Sequence, residues 1–260
     1  ASVSDFDAGT GLLNVGNGVL DLRTSQLTPH DPSQRFTYCL PTPYEPATDT
    51  GAWEAWLSDT VGNDPAVLEY IQQAIGYSLT GHTWEECLFY LYGPTRGGKG
   101  TLTETLLTLL GKEPLAAEAS FSILTRNRDN DPNSADLASL KPCRFLSASE
   151  SRGDQWLDAS SLKTITGGNL IRCAMKYQNH FSYRPQYKIW LSSNHTPKVD
   201  VDDDASWARI RVIRFPNSHL GHEDKELKAR MRAPAMLAQV LAWGVAGAQK
   251  WYAASGKGLT

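Results

Sequence analysis

One stretch constrains this chain more than any other. Six consecutive residues suited to a buried strand, Cys87-Leu88-Phe89-Tyr90-Leu91-Tyr92, run into Gly93-Pro94-Thr95-Arg96-Gly97-Gly98-Lys99-Gly100-Thr101, and a helix-forming segment continues from Gly98 to Leu110. A strand, a glycine-rich loop and a helix in that order open a nucleotide-binding α/β core. Glycines let backbone N–H groups converge on phosphate oxygens with no Cβ in the way. The helix N-terminus adds partial positive charge, and Lys99 can reach β- and γ-phosphates. Gly93 to Thr101 are therefore expected to bind the phosphates of ATP. The usual pattern puts Ser or Thr directly after the lysine; here Gly100 stands there and Thr101, the candidate Mg2+ ligand, comes one residue later.

Around this stretch the chain divides into three expected parts: 1–83, an N-terminal hairpin and helical subdomain; 84–218, the ATPase core; and 219–260, a C-terminal helical segment. Val15 to Leu27 alternates apolar and polar residues and turns at Thr24-Ser25-Gln26, the pattern of a short hairpin. A proline-rich connector from Pro29 to Pro46 follows, then a helix marked by Trp53, Trp56 and Leu57, whose tryptophans are expected in the core. Asp64-Pro65 is an N-cap and first-turn pair for a second helix with Val67, Leu68, Ile71, Ala74 and Ile75 on one stripe. Further strands are expected at Arg144 to Ala148, Tyr187 to Ser193 and Arg209 to Phe215. Asp158 to Ile165 reads as a helix, Asn169 to Met175 and Phe181 to Tyr183 as the arms of a hairpin, and Lys225 to Met231 and the stretch from Pro234 to about Ala254 as helices. The fold class that follows is α/β: a P-loop nucleotide-binding core with a mostly parallel central sheet, preceded by a small, mainly helical N-terminal subdomain.

A hydrolytic ATPase needs an acid at the end of a neighbouring strand, and Phe145-Leu146-Ser147-Ala148-Ser149-Glu150 supplies one. Glu150 is the candidate base and, with Thr101, the candidate metal ligand. The strand from Tyr187 to Ser193 ends at Asn194, an uncharged amide that can contact a γ-phosphate or position water without repelling it. Beyond it, Arg209 suits a finger inserted into a neighbouring copy's ATP site, with Arg211 as second choice. The Gly-Lys-Gly-Thr loop is also similar to that of small nucleotide kinases, so the loop alone does not separate phosphoryl transfer from a motor.

The order does: strand and phosphate loop, acid at a strand end, hairpin, strand ending in Asn, then Trp-x-Arg. Together with Asn17-Gly18-Val19-Leu20-Asp21-Leu22, Gly76-Tyr77-Ser78-Leu79-Thr80-Gly81, Thr166-Gly167-Gly168-Asn169, Ser193-Asn194-His195-Thr196-Pro197 and Trp207-Ala208-Arg209-Ile210, it resembles superfamily 3 helicases. The branch is the poxvirus-like and phage or plasmid primase-helicases. The resemblance implies Lys99, Glu150, Asn194 and Arg209 in catalysis, a homo-hexameric AAA+ ring with single-stranded DNA in its channel, and a primase or polymerase segment on the same longer chain. It also implies that the hairpin between the acid strand and the asparagine strand grips DNA, with Lys176 on phosphate and Tyr177 or His180 in support. Ala208 departs from the arginine often seen before the finger, which keeps Arg211 in play.

Composition sets the outer bounds. A chain that is 41% hydrophobic and 20% charged, with no run of eighteen apolar residues, is expected neither to span a membrane nor to lack a core. Its net charge of -3 requires any DNA contact to be local. Four dispersed cysteines, Cys39, Cys87, Cys143 and Cys173, suggest neither zinc nor disulfides, and fit the cytoplasm, that of a host cell for a phage or plasmid protein. No export signal opens the chain, whose first residues read as the middle of something longer. The sequence-level function is an ATP-dependent DNA helicase motor. Two alternatives remain: a P-loop nucleotide kinase or phosphotransferase, and a nucleotide-dependent DNA-binding assembly module without turnover. The acidic run Asp200 to Asp204 is expected to be a solvated loop, and His219 with His222 is not expected to bind metal.

Overall fold

A computed structural model describes residues 6–125, 134–150, 153, 155–175, 179–200, 202–254 and 258–259. Five parallel strands carry the molecule: β4 (Leu88–Tyr92), β5 (Ala116–Ala119), β6 (Phe145–Ser149), β9 (Lys188–Ser193) and β10 (Ile210–Arg214), in the spatial order β10-β4-β9-β6-β5. The first strand in sequence thus lies between the last two, and the loop after β4 opens at a crevice where the chain's path reverses direction across the sheet.

Both faces of this sheet are covered, which is why its strands read as continuous apolar runs. Side chains alternate between the two layers. Phe89, Leu91, Phe145 and Trp190 join one hydrophobic cluster with α1 (Gly51–Thr60), α2 (Pro65–Leu79), α3 (Lys99–Leu110) and α8 (Pro234–Ala253). Leu88, Tyr90, Leu146, Ala148, Ile189 and Leu191 join a second with the 3-10 turn Phe121–Leu124, α4 (Ser134–Ser139), α5 (Ala159–Thr166) and the hairpin β7 (Ile171–Cys173) and β8 (Phe181–Tyr183).

The N-terminal segment carries the expected helices, α1 and α2. It contains a three-stranded antiparallel sheet, β1 (Leu12–Val15), β2 (Gly18–Asp21) and β3 (Leu27–Thr28), with a turn at residues 16–17 in addition to the expected one before β3. As expected, Asp64 caps α2, its carboxylate accepting from the backbone N–H of Ala66 and Val67. α2 packs along α8 so closely that a Cβ on Gly247 would stand 1.9 Å from the Gln72 carbonyl oxygen. The first 83 residues and the C-terminal helix therefore share one core with the sheet. Trp53 is fully buried as expected, but Trp56 is only partly so.

Two buried cations weld the N-terminal segment to the sheet. The Arg144 guanidinium donates to the carbonyls of Leu12 (2.9 Å), Leu79 (2.8 Å) and Gly9 (3.0 Å). The Lys188 ammonium donates to the carbonyls of Thr80, Gln186 (2.9 Å) and His82 (3.3 Å) and lies over the Tyr77 ring. Carbonyls at the end of α2 carry partial negative charge, so two cations at this place complement the helix. β5, α4 and the short α6 (Asp204–Trp207) were not foreseen from sequence. The acidic run serves α6: the Asp203 carboxylate accepts from the Ser206 N–H at 3.1 Å and caps the helix. No helix among the described residues is long and apolar enough to cross a membrane.

Candidate nucleotide site

The loop after β4 turns on two residues in the left-handed region, Arg96 (φ 61) and Gly98 (φ 90). At Gly98 the constraint is also steric, since a Cβ there would come within 2.5 Å of the Thr60 methyl. No side chain caps α3, so its first-turn N–H groups face the cavity beside the loop without intrahelical partners. That cavity, roughly 360 Å³, is lined by residues 95–101, by Ser149 and Glu150 from the end of β6, by Ser192, Ser193 and Asn194 from the end of β9, and by Lys228. Lys99, Glu150 and Asn194 are thus brought to one wall-and-floor arrangement, as are the loop residues from Thr95 to Thr101. Gly93 and Pro94 contribute through their carbonyls.

The Lys99 ammonium donates to Gly93 O (2.7 Å), Pro94 O (2.8 Å) and Asn194 Oδ1 (3.0 Å), while Asn194 Nδ2 donates to Thr95 Oγ1 (3.2 Å). Burial lowers the Lys99 pKa, because desolvation disfavours the charged form. Among the described residues, Glu150 is held from one side only. Its Oε2 accepts from Ser193 Oγ (2.6 Å) and Tyr90 OH (3.1 Å), and Oε1 has no hydrogen-bond partner among the described residues. Burial raises the Tyr90 phenol, which remains a proton donor.

Oxygen donors suited to a hard divalent cation meet in this cavity. Thr101 and Glu150 both border it, and Ser192, also on its wall, has a buried Oγ with no hydrogen-bond partner among the described residues. An orphaned buried hydroxyl on a cavity that a carboxylate also lines fits a metal-bound ligand, so the residues present suit Mg2+. The one-residue displacement of Thr101 from the usual position has not removed it from the cavity.

A second hollow of roughly 520 Å³ adjoins the first through Arg96, Gly98, Thr101 and Lys228. Trp56, Leu227, His219 and His222 give it apolar and aromatic walls. The segment after β10 closes it over the loop: Ser218 Oγ donates to Thr95 O (2.9 Å), and the His219 N–H to Arg96 O (3.2 Å). His219 and His222 lie outside any helix, and no group of three or more metal-ligating side chains occurs among the described residues.

Arg209 and Arg211 lie elsewhere. Ile210 pairs with Leu88 and Arg214 with Tyr92, so Arg209 sits level with Cys87 at the start of β4 and the loop begins at its end, about 20 Å away along an extended strand. Its guanidinium binds Glu86 Oε2 (2.8 Å), Glu86 O (3.1 Å) and Thr166 Oγ1 (3.2 Å). Arg211 Nη1 donates to Ala208 O at 2.6 Å. At the expected DNA hairpin, His180 is exposed just before β8, whereas Lys176 and Tyr177 lie outside the described residues. Tyr90, Ser193, Ser192, Lys228 and Trp56 were missed by sequence reasoning. The first three sat inside strands that read as core, and the last two converge only through tertiary packing.

The sheet order, the loop and the polar residues at the strand ends define an α/β protein with a five-stranded parallel sheet and a glycine-rich loop at the crevice where its strand order reverses. Residues 1–62 match the family described as D5 N terminal like, and residues 91–211 match a family of unknown function (DUF5906). A protein named as a helicase in Acanthamoeba polyphaga mimivirus is 26% identical over 230 residues, covering 87% of this chain and 24% of its own length. Primase D5 of fowlpox virus is 24% identical over 163 residues, 61% of this chain and 20% of its own. The chain spans about a quarter of the length of such relatives. The solved NrS-1 C terminal region superposes with a TM-score of 0.62 at 16% identity, over 83% of this chain and 52% of that one, a likeness of fold. In sequence the chain is thus similar to proteins named as helicases or primases of the D5 type in large DNA viruses.

Proposed function

We propose that this chain is the ATP-driven motor of a replicative primase-helicase, hydrolysing ATP between adjacent copies to translocate on and unwind DNA. The observation that carries the reading is the meeting of Lys99, Asn194 and Glu150 on one cavity, each from the end of a different strand or the loop that follows it. ATP phosphates would lie along the N–H groups of the loop, with Lys99 as counter-charge and the base and sugar in the adjoining apolar hollow. Thr101 and Glu150 would hold Mg2+, which when bound neutralises charge between the β- and γ-phosphates. Glu150 orients a water through its free oxygen and accepts its proton as the water oxygen attacks the γ-phosphorus. The bond to the β–γ bridging oxygen breaks, and ADP leaves with that oxygen. Asn194 holds the γ-phosphate side of the site without adding negative charge.

The separation of Arg209 from its own loop supports a role in trans, because its guanidinium could reach a γ-phosphate only in a neighbouring copy. On this reading the working assembly is a homo-hexameric ring, acting in the cytoplasm, with the hairpin around Lys176, Tyr177 and His180 on single-stranded DNA in the channel. A primase or polymerase segment would belong to the same longer chain. ATPase activity measured with and without single-stranded DNA across a protein-concentration series tests this. Turnover per chain should rise with both, whereas a rate indifferent to both would favour a monomeric phosphotransferase.

A further inference from the structure

We propose that Tyr90 is a positioning residue for Glu150, holding its carboxylate through a hydroxyl proton that the backbone of His195 also claims. The proposal rests on the reading of Glu150 as the acid of ATP hydrolysis. Tyr90 stands in the middle of β4 with its ring buried in the layer beneath the strand ends, and its hydroxyl emerges between the ends of β6 and β9. There it lies 3.1 Å from Glu150 Oε2 and 2.9 Å from His195 O. A phenol has one proton and cannot serve both acceptors at once. Ser193 completes the clamp: its hydroxyl donates to the same Oε2 at 2.6 Å and accepts from the His195 N–H at 2.9 Å.

Both hydroxyls that fix Oε2 are therefore tied to the residue after Asn194, whose amide oxygen accepts from Lys99. While the Tyr90 proton goes to Oε2, that oxygen has two donors, Tyr90 and Ser193, and the carboxylate is held in place. A shift of the 194–195 turn that draws the Tyr90 proton to His195 O leaves Oε2 with Ser193 alone and frees the carboxylate to rotate. The contact at Asn194 and the aim of Glu150 are linked through one phenol.

Tyr90→Phe keeps the ring and deletes the hydroxyl, so it tests the clamp without emptying the core. ATP turnover and binding of a fluorescent ATP analogue should be measured for the intact chain, for Tyr90→Phe, for Ser193→Ala and for the double variant, with thermal melting as a check of folding. Tyr90→Phe should lower kcat roughly tenfold while KM and analogue affinity stay within about twofold, the signature of lost aim rather than lost binding. The double variant should lose less than the product of the single losses, since both hydroxyls act on one oxygen. A Tyr90→Phe kcat unchanged or raised, a KM that rises in step with the loss, or independent losses in the double variant would overturn the clamp alone, provided Glu150→Gln abolishes turnover. No turnover in the unaltered chain, or full turnover in Glu150→Gln, would overturn the parent reading and the clamp together.

Discussion

The Lys99 ammonium and the Asn194 side-chain oxygen lie 3.0 Å apart, joining the loop after β4 to the end of β9 by one charge-assisted hydrogen bond. Because the same ammonium also satisfies two loop carbonyls, an incoming phosphate has to compete for a lysine that is already engaged. Lys99→Ala should abolish ATP turnover and weaken ATP binding by at least about tenfold. Asn194→Ala should lower kcat by about tenfold or more with a smaller change in affinity. Isothermal titration alongside steady-state kinetics separates the two, and equal affinity losses in both variants would contradict the division of labour.

Glu150→Gln should retain ATP binding and stop hydrolysis, since the amide keeps the volume but cannot accept the proton. Arg209→Ala should lose turnover with ATP affinity nearly intact. If Arg209 acts in trans, mixing the two variants should recover part of the activity at intermediate ratios, because some interfaces then combine an intact acid with an intact arginine. Recovery at no ratio would count against a shared site. Arg209→Ala also breaks the ion pair with Glu86, but half of that pair is exposed, so any loss of melting temperature should be small.

His82 gives a stability signature that is separate from activity. Burial, with the nearby charges of Lys188, Arg144 and Arg23, pushes its pKa from 6.5 down to about 4. Above pH 6.5 the ring is neutral in folded and unfolded chains alike. Below it the unfolded chain takes up a proton that the folded chain does not, so stability should fall as pH drops from 6.5 towards 4. The ring stacks on Trp84 at 4.0 Å, and His82→Phe preserves a stacking face while removing the titration. Melting temperatures between pH 7 and 5 should therefore fall more steeply for the native chain than for the variant; parallel curves would assign the acid sensitivity to other groups.

Lys176→Ala should weaken single-stranded DNA binding and the DNA-stimulated part of turnover, leaving basal ATPase unchanged. The slope of log affinity against log salt should decrease by somewhat less than one phosphate contact per bound chain. An unchanged slope would remove Lys176 from the DNA interface.

What could be read in the sequence follows from how local the signal is. The β4–loop–α3 unit, Asp64 as the cap of α2, the hairpin arms and the strand ends at Glu150 and Asn194 are each specified within a dozen residues, and each was legible. β5 was not, because Ala116-Ala117-Glu118-Ala119 has neither β-branched residues nor a long apolar run and is a strand only through its pairing with β6. Tyr90 and Ser193 were legible as strand residues but not as partners of Glu150. That role appears only when parallel pairing sets β4, β9 and β6 side by side. Lys228 and Trp56, separated by most of the chain, meet at the hollow only because α7 (Leu227–Met231) and α1 pack beside α3.

Arg144 and Lys188 carry a consequence for how this molecule can be cut. Among the described residues their hydrogen-bond partners include no carboxylate; they are backbone carbonyls, most of them from the β1 region and the end of α2. A fragment begun at residue 84, where the sequence places the start of the core, strips both cations of most of those oxygens while leaving them facing an exposed apolar sheet. The smallest portable version of this sheet therefore starts upstream of Gly9, and a chimera that grafts it onto a foreign N-terminal segment must bring the carbonyls along.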